Sequence, residues 1–112
     1  MKPSLAQSFF APSGAPDPSW SDADLVRACL DGREAAWAAL LDKYKRLIYS
    51  IPFRYGAAEA DAADIFQLVC MDLYAELPRL RNVEALRGWL MTVTARHSLR
   101  WKNRRVTLPL EN

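Results

Sequence analysis

Histidine, cysteine and glycine are scarce in this 112-residue chain, and each scarcity removes a class of function. There is one histidine, His97, and two cysteines, Cys29 and Cys70, with no Cys-x-x-Cys and no Cys/His cluster. That leaves no framework for a zinc site or a disulfide scaffold. Both cysteines fall within apolar helical patterns, where a thiol reads as a small, buried, reduced hydrophobe. Four scattered glycines cannot form a phosphate-cradling loop, and no nucleophile and base pair assembles around a single histidine. No catalytic residue, metal ligand or cofactor is therefore assigned, and an enzyme is the least expected class. No run approaches the roughly 18 consecutive apolar residues of a membrane span, and no apolar stretch follows the basic start as in an export signal. The expectation is a cytoplasmic protein with no membrane partner.

What is present is an ordinary globular composition, 51% hydrophobic and 25% charged, enough for one domain and a tail. Net charge is only +2, but its distribution is uneven. Residues 1–78 hold seven basic and eleven acidic side chains, a net of −4, whereas residues 79–105 hold eight basic and one acidic, a net of +7. An acidic body joined to a basic C-terminal third points to two partners of opposite character, one of them a polyanion.

Four of the seven prolines lie within the first 18 residues, with Gly14 and several serines and no helical period, so residues 1–20 are expected to be a disordered tail. From Ser21 the pattern is helical throughout, with no strand signal and no internal repeat. Ser21 followed by Asp24 reads as a capping box opening a helix that stops at Gly32. A second helix, from about Arg33, sets Trp37, Leu40, Leu41, Tyr44, Leu47, Ile48 and Ile51 at three- and four-residue steps. Pro52 is expected to kink or end it, and Gly56 to close it. A third runs from about Asp61 to Leu77 with Ile65, Val69, Leu73 and Leu77 on one face, and Pro78 ends it. A short loop leads to Asn82, a helix start, and a fourth helix over about 83–104 turns Leu86, Leu90 and Val93 inward. The fold class is thus all-α, a compact bundle of about four helices spanning residues 21–105.

Two constellations carry chemistry. Asp61 and Asp64 share one face at a helix start, where the macrodipole favours carboxylates, although such pairs are most often caps or solvated charges. The stronger signal is the last helix, in which six cations from Arg87 to Arg105 stand with no acid among them. Arg96, Arg100 and Arg104 at four-residue steps form one file suited to phosphates, unless the face is merely solvated. Trp89 and Trp101 could stack on unpaired bases; Trp89 sits among core positions, while Trp101, between Arg100 and Lys102, is expected to be exposed.

Taken together, residues 21–105 resemble region 2 of the extracytoplasmic-function (ECF) group of sigma-70 family factors. The opening Asp-Ala-Asp-Leu-Val-Arg at 22–27 and the Trp37 to Leu41 run ahead of Tyr44 look like the family's first two helices. Asp61-Ala-Ala-Asp-Ile-Phe-Gln is similar to its most specific motif, and Gly88-Trp-Leu-x-x-Val resembles the start of its promoter-engaging helix. The resemblance implies a transcription initiation domain whose third helix docks on the clamp helices of the RNA polymerase β′ subunit through Asp61, Asp64, Gln67, Leu68, Met71 and Tyr74. It also implies that the loop at 78–85 captures a flipped base of the promoter minus-ten element. The DNA-binding set on the non-template strand is then Arg79, Arg81, Asn82, Arg87, Trp89, Arg96, Arg100, Trp101, Lys102, Arg104 and Arg105.

The family commonly has Asn and Asp where Arg96 and Arg100 stand, and an aromatic at Cys70, so base preference does not carry over. Residues 106–112 read as the start of a linker, and region 4, the part that reads the minus-thirty-five element, is not in this chain. An anti-sigma factor is a further partner the resemblance leaves open. Two other readings stand beside it: a helical nucleic-acid-binding module unrelated to polymerase, and a helical interaction scaffold whose basic face is solvated.

Overall fold

Helix α1, Asp22–Leu30, starts where a side chain can satisfy its first amides: Ser21 Oγ accepts from the Asp24 N–H at 3.1 Å. The cap is one-sided, because the Asp24 carboxylate turns to Arg27 Nη1 at 3.4 Å instead of returning to Ser21. The computed structural model describes residues 14–107 and adds α2 (Glu34–Arg54), α3 (Glu59–Glu76) and α4 (Leu86–Thr107). Two short 3-10 turns, Leu77–Arg79 and Val83–Ala85, lie between α3 and α4. The described residues contain no strand, and the all-α expectation holds.

Packing divides the described residues within α2 into two units, 14–43 and 44–107. In the first, Leu25, Val26, Ala28 and Cys29 of α1 are buried, as are Ala36, Ala39 and Leu40 of α2. Trp20 is buried too, although the sequence places it in the tail. Lys43 Nζ donates to its carbonyl at 2.8 Å and pairs with Asp22 at 2.7 Å, and the Arg33 guanidinium lies over its ring at 5.9 Å. The chain is thus anchored one turn before α1, by an aromatic residue with partners on both sides of it. The rest of the expected tail, residues 1–13, lies outside the described residues.

In the second unit the buried line of α2 is Tyr44, Ile48 and Ile51, to which α3 adds Ala62, Ile65, Val69 and Leu73 and α4 adds Leu86, Leu90 and Val93. Trp37, Leu41 and Leu47 are half-buried, because the apolar stripe of α2 is wider than its buried side. Burial raises both thiols, Cys29 to about 11, so each stays protonated at neutral pH. Cys70 is half-buried where full burial was expected.

Boundaries differ from the sequence reading where backbone geometry is decisive. Pro52 is buried and does not end α2, which runs two residues further to Arg54. In the last turn a missing proline N–H costs only one hydrogen bond before the helix stops anyway. The stop is a Schellman motif: Gly56 N–H donates to Phe53 O at 3.0 Å and Ala57 N–H to Pro52 O at 3.1 Å, with Gly56 at φ 91°. Gly32 closes α1 in the same way, at φ 86°. The start of α3 is two residues earlier than Asp61, behind Ala58, which supplies no side-chain cap. The expected start of the last helix at Val83 is a 3-10 turn instead, capped by the Asn82 carboxamide on the Glu84 N–H at 3.0 Å.

Nothing would touch a Cβ added at Gly56, so its cost is purely conformational. Gly56→Ala should destabilise the chain by about 1–2 kcal/mol, lowering Tm by roughly 4–8 °C per kcal/mol. Calorimetry checks this, and an unchanged Tm would show that the motif does not hold the helix end.

Candidate functional site

The connection at 77–85 turns the chain back, so that α4 packs along α3. Ile65, Val69 and Leu73 are buried on α3, Leu77 in the connection, and Leu86, Leu90 and Val93 on α4. Two fully buried hydroxyls interrupt this apolar run. Thr94 Oγ1 donates to Leu90 O at 2.6 Å and Ser98 Oγ to Thr94 O at 2.8 Å. Each is satisfied by the carbonyl one turn back, which removes the penalty of burying it.

A side-chain bond between the two helices ties them together. The Asp72 carboxylate accepts from His97 Nε2–H at 2.7 Å, with the imidazole 11% exposed and the carboxylate 46%. In sequence His97 stands out only as the chain's one histidine, and Asp72 is one acid among several. The partners are 25 residues apart, and no local pattern connects them.

Of the residues the sequence assigned to α3, Asp64, Gln67, Leu68, Met71 and Tyr74 lie outside the buried seam. Asp64 and Gln67 are exposed, Asp61 is half-buried at the helix start, and the large apolar side chains follow: Leu68 at 41% exposure, Met71 at 67% and Tyr74 at 69%. Asp61, Asp64, Leu68 and Met71 fall within about 80° of the circumference of α3, while Gln67 and Tyr74 stand about 100° and 120° from Leu68. Apolar groups of this size left in water mark a contact surface more often than chance.

The assigned DNA set is less unified. Arg96, Arg100 and Arg104 are exposed and, with Trp89, fall within about 80° of the circumference of α4. Arg87 and Arg105 stand about 180° from Arg96, and Lys102 about 120° from it, so no single flat surface meets all of them. Trp101 is half-buried and not exposed as expected, with the Arg105 guanidinium 5.4 Å from its ring centre. Trp89 is also half-buried. In the connection Arg79, Arg81 and Asn82 are exposed, but the Asn82 carboxamide oxygen is already committed to its cap.

A shallow groove missed by the sequence reading runs between α2 and α3, lined by Lys45, Arg46, Tyr49, Phe53, Glu59 and Ala63. Tyr49 stacks on Phe66 beside it, with centroids 5.0 Å apart. Among the described residues no group of three or more His, Cys, Asp or Glu could hold a metal, and no helix is long and apolar enough to cross a membrane.

On a scaffold of short-looped helices, α3 carries exposed acidic and apolar side chains and α4 exposed basic ones. The family model for Sigma-70 region 2 matches residues 40–106, more than half of the chain, and the chain belongs to that family. Region 2 is a domain of transcription initiation factors, not of an enzyme family, and its general business is binding RNA polymerase and recognising the promoter minus-ten element. The matched span omits residues 21–39, where part of the sequence resemblance was drawn. Comparison with curated proteins and with solved structures finds no match.

The Asp72 to His97 bond should stabilise the α3–α4 pair modestly, since half of the carboxylate is in water. Asp72→Ala is expected to cost about 1 kcal/mol and Asp72→Asn, which keeps an acceptor, less. Urea denaturation of the two variants checks the order; equal losses would mean the bond contributes nothing.

Proposed function

We propose that this chain is region 2 of an ECF-type sigma factor, acting in the cytoplasm on RNA polymerase and on an opened promoter. The observation that carries the reading is the pairing of two unlike exposed sets on one packed seam: Asp64, Gln67, Leu68, Met71 and Tyr74 on α3 and Arg96, Arg100 and Arg104 on α4.

On this reading the α3 set docks on the β′ clamp helices. Asp61, Asp64 and Gln67 bind cationic and amide groups of the clamp, while Leu68, Met71 and Tyr74 supply the apolar contact that makes such a surface adhere. The α4 file of arginines follows the phosphates of the non-template strand. The connection with Arg79, Arg81 and Asn82 lies at the end of the helix pair where an extruded base would be held, and extrusion costs a few kcal/mol that stacking and phosphate contacts offset. Arg87, Lys102 and Arg105 point elsewhere round α4 and contribute to the general positive potential more than to the same row of contacts. A helical scaffold unrelated to polymerase would have no use for both faces at once.

Charge-assisted contacts truncated at an interface cost about 2–5 kcal/mol, so Asp64→Ala or Gln67→Ala should weaken binding to the isolated β′ clamp by about tenfold or more. Circular dichroism should be unchanged, because both residues are exposed. Unaltered affinity in both variants removes the basis for this surface.

The arginine file is tested in the holoenzyme. Each single-strand phosphate contact adds about −0.7 to the slope of log affinity against log salt, so three arginines give a slope near −2. Arg96→Ala/Arg100→Ala should lower open-complex formation and flatten that slope by about 1.4. A double variant that melts promoters with the wild-type salt dependence would place promoter contact elsewhere.

A further inference from the structure

The two faces assigned to two different partners are also complementary to each other. Among the described residues the salt bridges are Arg27–Asp24, Lys43–Asp22 and His97–Asp72, so neither Asp61 and Asp64 nor Arg96, Arg100 and Arg104 take part in one within the chain. The Asp72 to His97 bond fixes which residues of the two helices stand at the same level. Asp64 lies eight residues before Asp72 and Arg104 seven after His97, about 12 and 11 Å along antiparallel helices, and so at one height. Leu68 is level with Arg100 and Trp101 by the same count, and Tyr74 with Arg96.

We propose that the occupant of this surface in the free protein is a second copy of the same chain. A twofold axis parallel to the helix pair lays α3 of each copy on α4 of the other at the same height. Asp64 then meets the partner's Arg104, and Leu68 and Met71 meet the aliphatic stem of the partner's Arg100. Charge matches charge and apolar surface matches an arginine stem in a single register. The contact is isologous and closed, so it forms a dimer and not a filament. Its regulatory meaning rests on the function proposed above: the dimer covers the polymerase face and the promoter face of both copies, and each ligand competes with it.

Sedimentation of the nucleic-acid-free 112-residue chain tests this directly. At low ionic strength it should show twice the 12.7 kDa chain mass, and in 1 M salt, where the Debye length falls to about 3 Å, a single chain. Asp61→Lys/Asp64→Lys and Arg100→Glu/Arg104→Glu should each be monomeric alone, with unchanged helical signal, and should form a one-to-one heterodimer when mixed. In that mixture the reversed α3 of one variant faces the reversed α4 of the other, and the two native faces also meet. A wild-type chain that stays monomeric at low salt overturns the proposal, and so does a dimer that survives in both reversed variants. Clamp binding by the isolated monomer is read separately, so loss of the dimer leaves the polymerase assignment standing and loss of clamp binding leaves the dimer standing.

Discussion

The contact between α3 and α4 is the constraint on which the rest of this molecule depends. Leu73, Leu86 and Leu90 are essentially removed from water, together with Val69 and Leu77. Each such side chain contributes about 1.5–3 kcal/mol relative to exposure. Against that, the mutual repulsion of surface cations is worth at most about 1 kcal/mol per pair. The seam therefore wins, and α4 holds an uninterrupted basic composition that would not form a stable isolated helix. The buried hydroxyls of Thr94 and Ser98 fit the same account: each is paired within its own helix, so the seam has small residues there without an unsatisfied donor.

Because the seam consumes only part of each helix's circumference, the remainder is free to carry whatever function requires. Leu68, Met71 and Tyr74 in water give up burial energy that a purely structural helix would have kept. The cations of α4 likewise give up the favourable pairing that interspersed acids would provide. Both features are local concessions, and both fall where the proposed partners bind. Natural domains place such departures from internal consistency at functional sites and compensate elsewhere in the core. Here the compensation is the seam itself and the glycine-closed ends of α1 and α2, which hold the helix termini without using side chains needed on the surface.

Features with a short-range signature were legible in the sequence. The period of Ile65, Val69 and Leu73 gave away the buried side of α3, and Ser21, Gly32 and Gly56 marked helix ends through chemistry confined to a few neighbouring residues. The set assigned to α3 came from the resemblance of Asp61-Ala-Ala-Asp-Ile-Phe-Gln to a family motif and not from the period. Other features depend on what the fold brings together. Trp20 looks like part of a proline-rich tail until Lys43 and Arg33 are placed against it. Asp72 is one acid among several until His97 arrives from another helix. The basic residues of α4 read as one group in sequence, yet helical geometry spreads Arg87, Lys102 and Arg105 away from the Arg96 file, because composition counts charges and the helix assigns them directions.

The separation of the two faces sets how strongly they influence each other. Packed helices lie about 8–10 Å apart, close to the Debye length of about 8 Å at physiological salt. At 10 Å a pair of unit charges in water interacts with about 0.4 kcal/mol before screening. The acids of α3 are thus too distant to neutralise the arginines of α4 but near enough to lower the positive potential felt by an approaching phosphate. In the proposed function, a polymerase surface that neutralises Asp61 and Asp64 removes that opposing field, and the arginine file then acts at full strength. Binding to polymerase and affinity for the promoter strand are coupled by this means without any movement of the helices, and since coupling is reciprocal, a bound strand strengthens the hold on polymerase by the same factor.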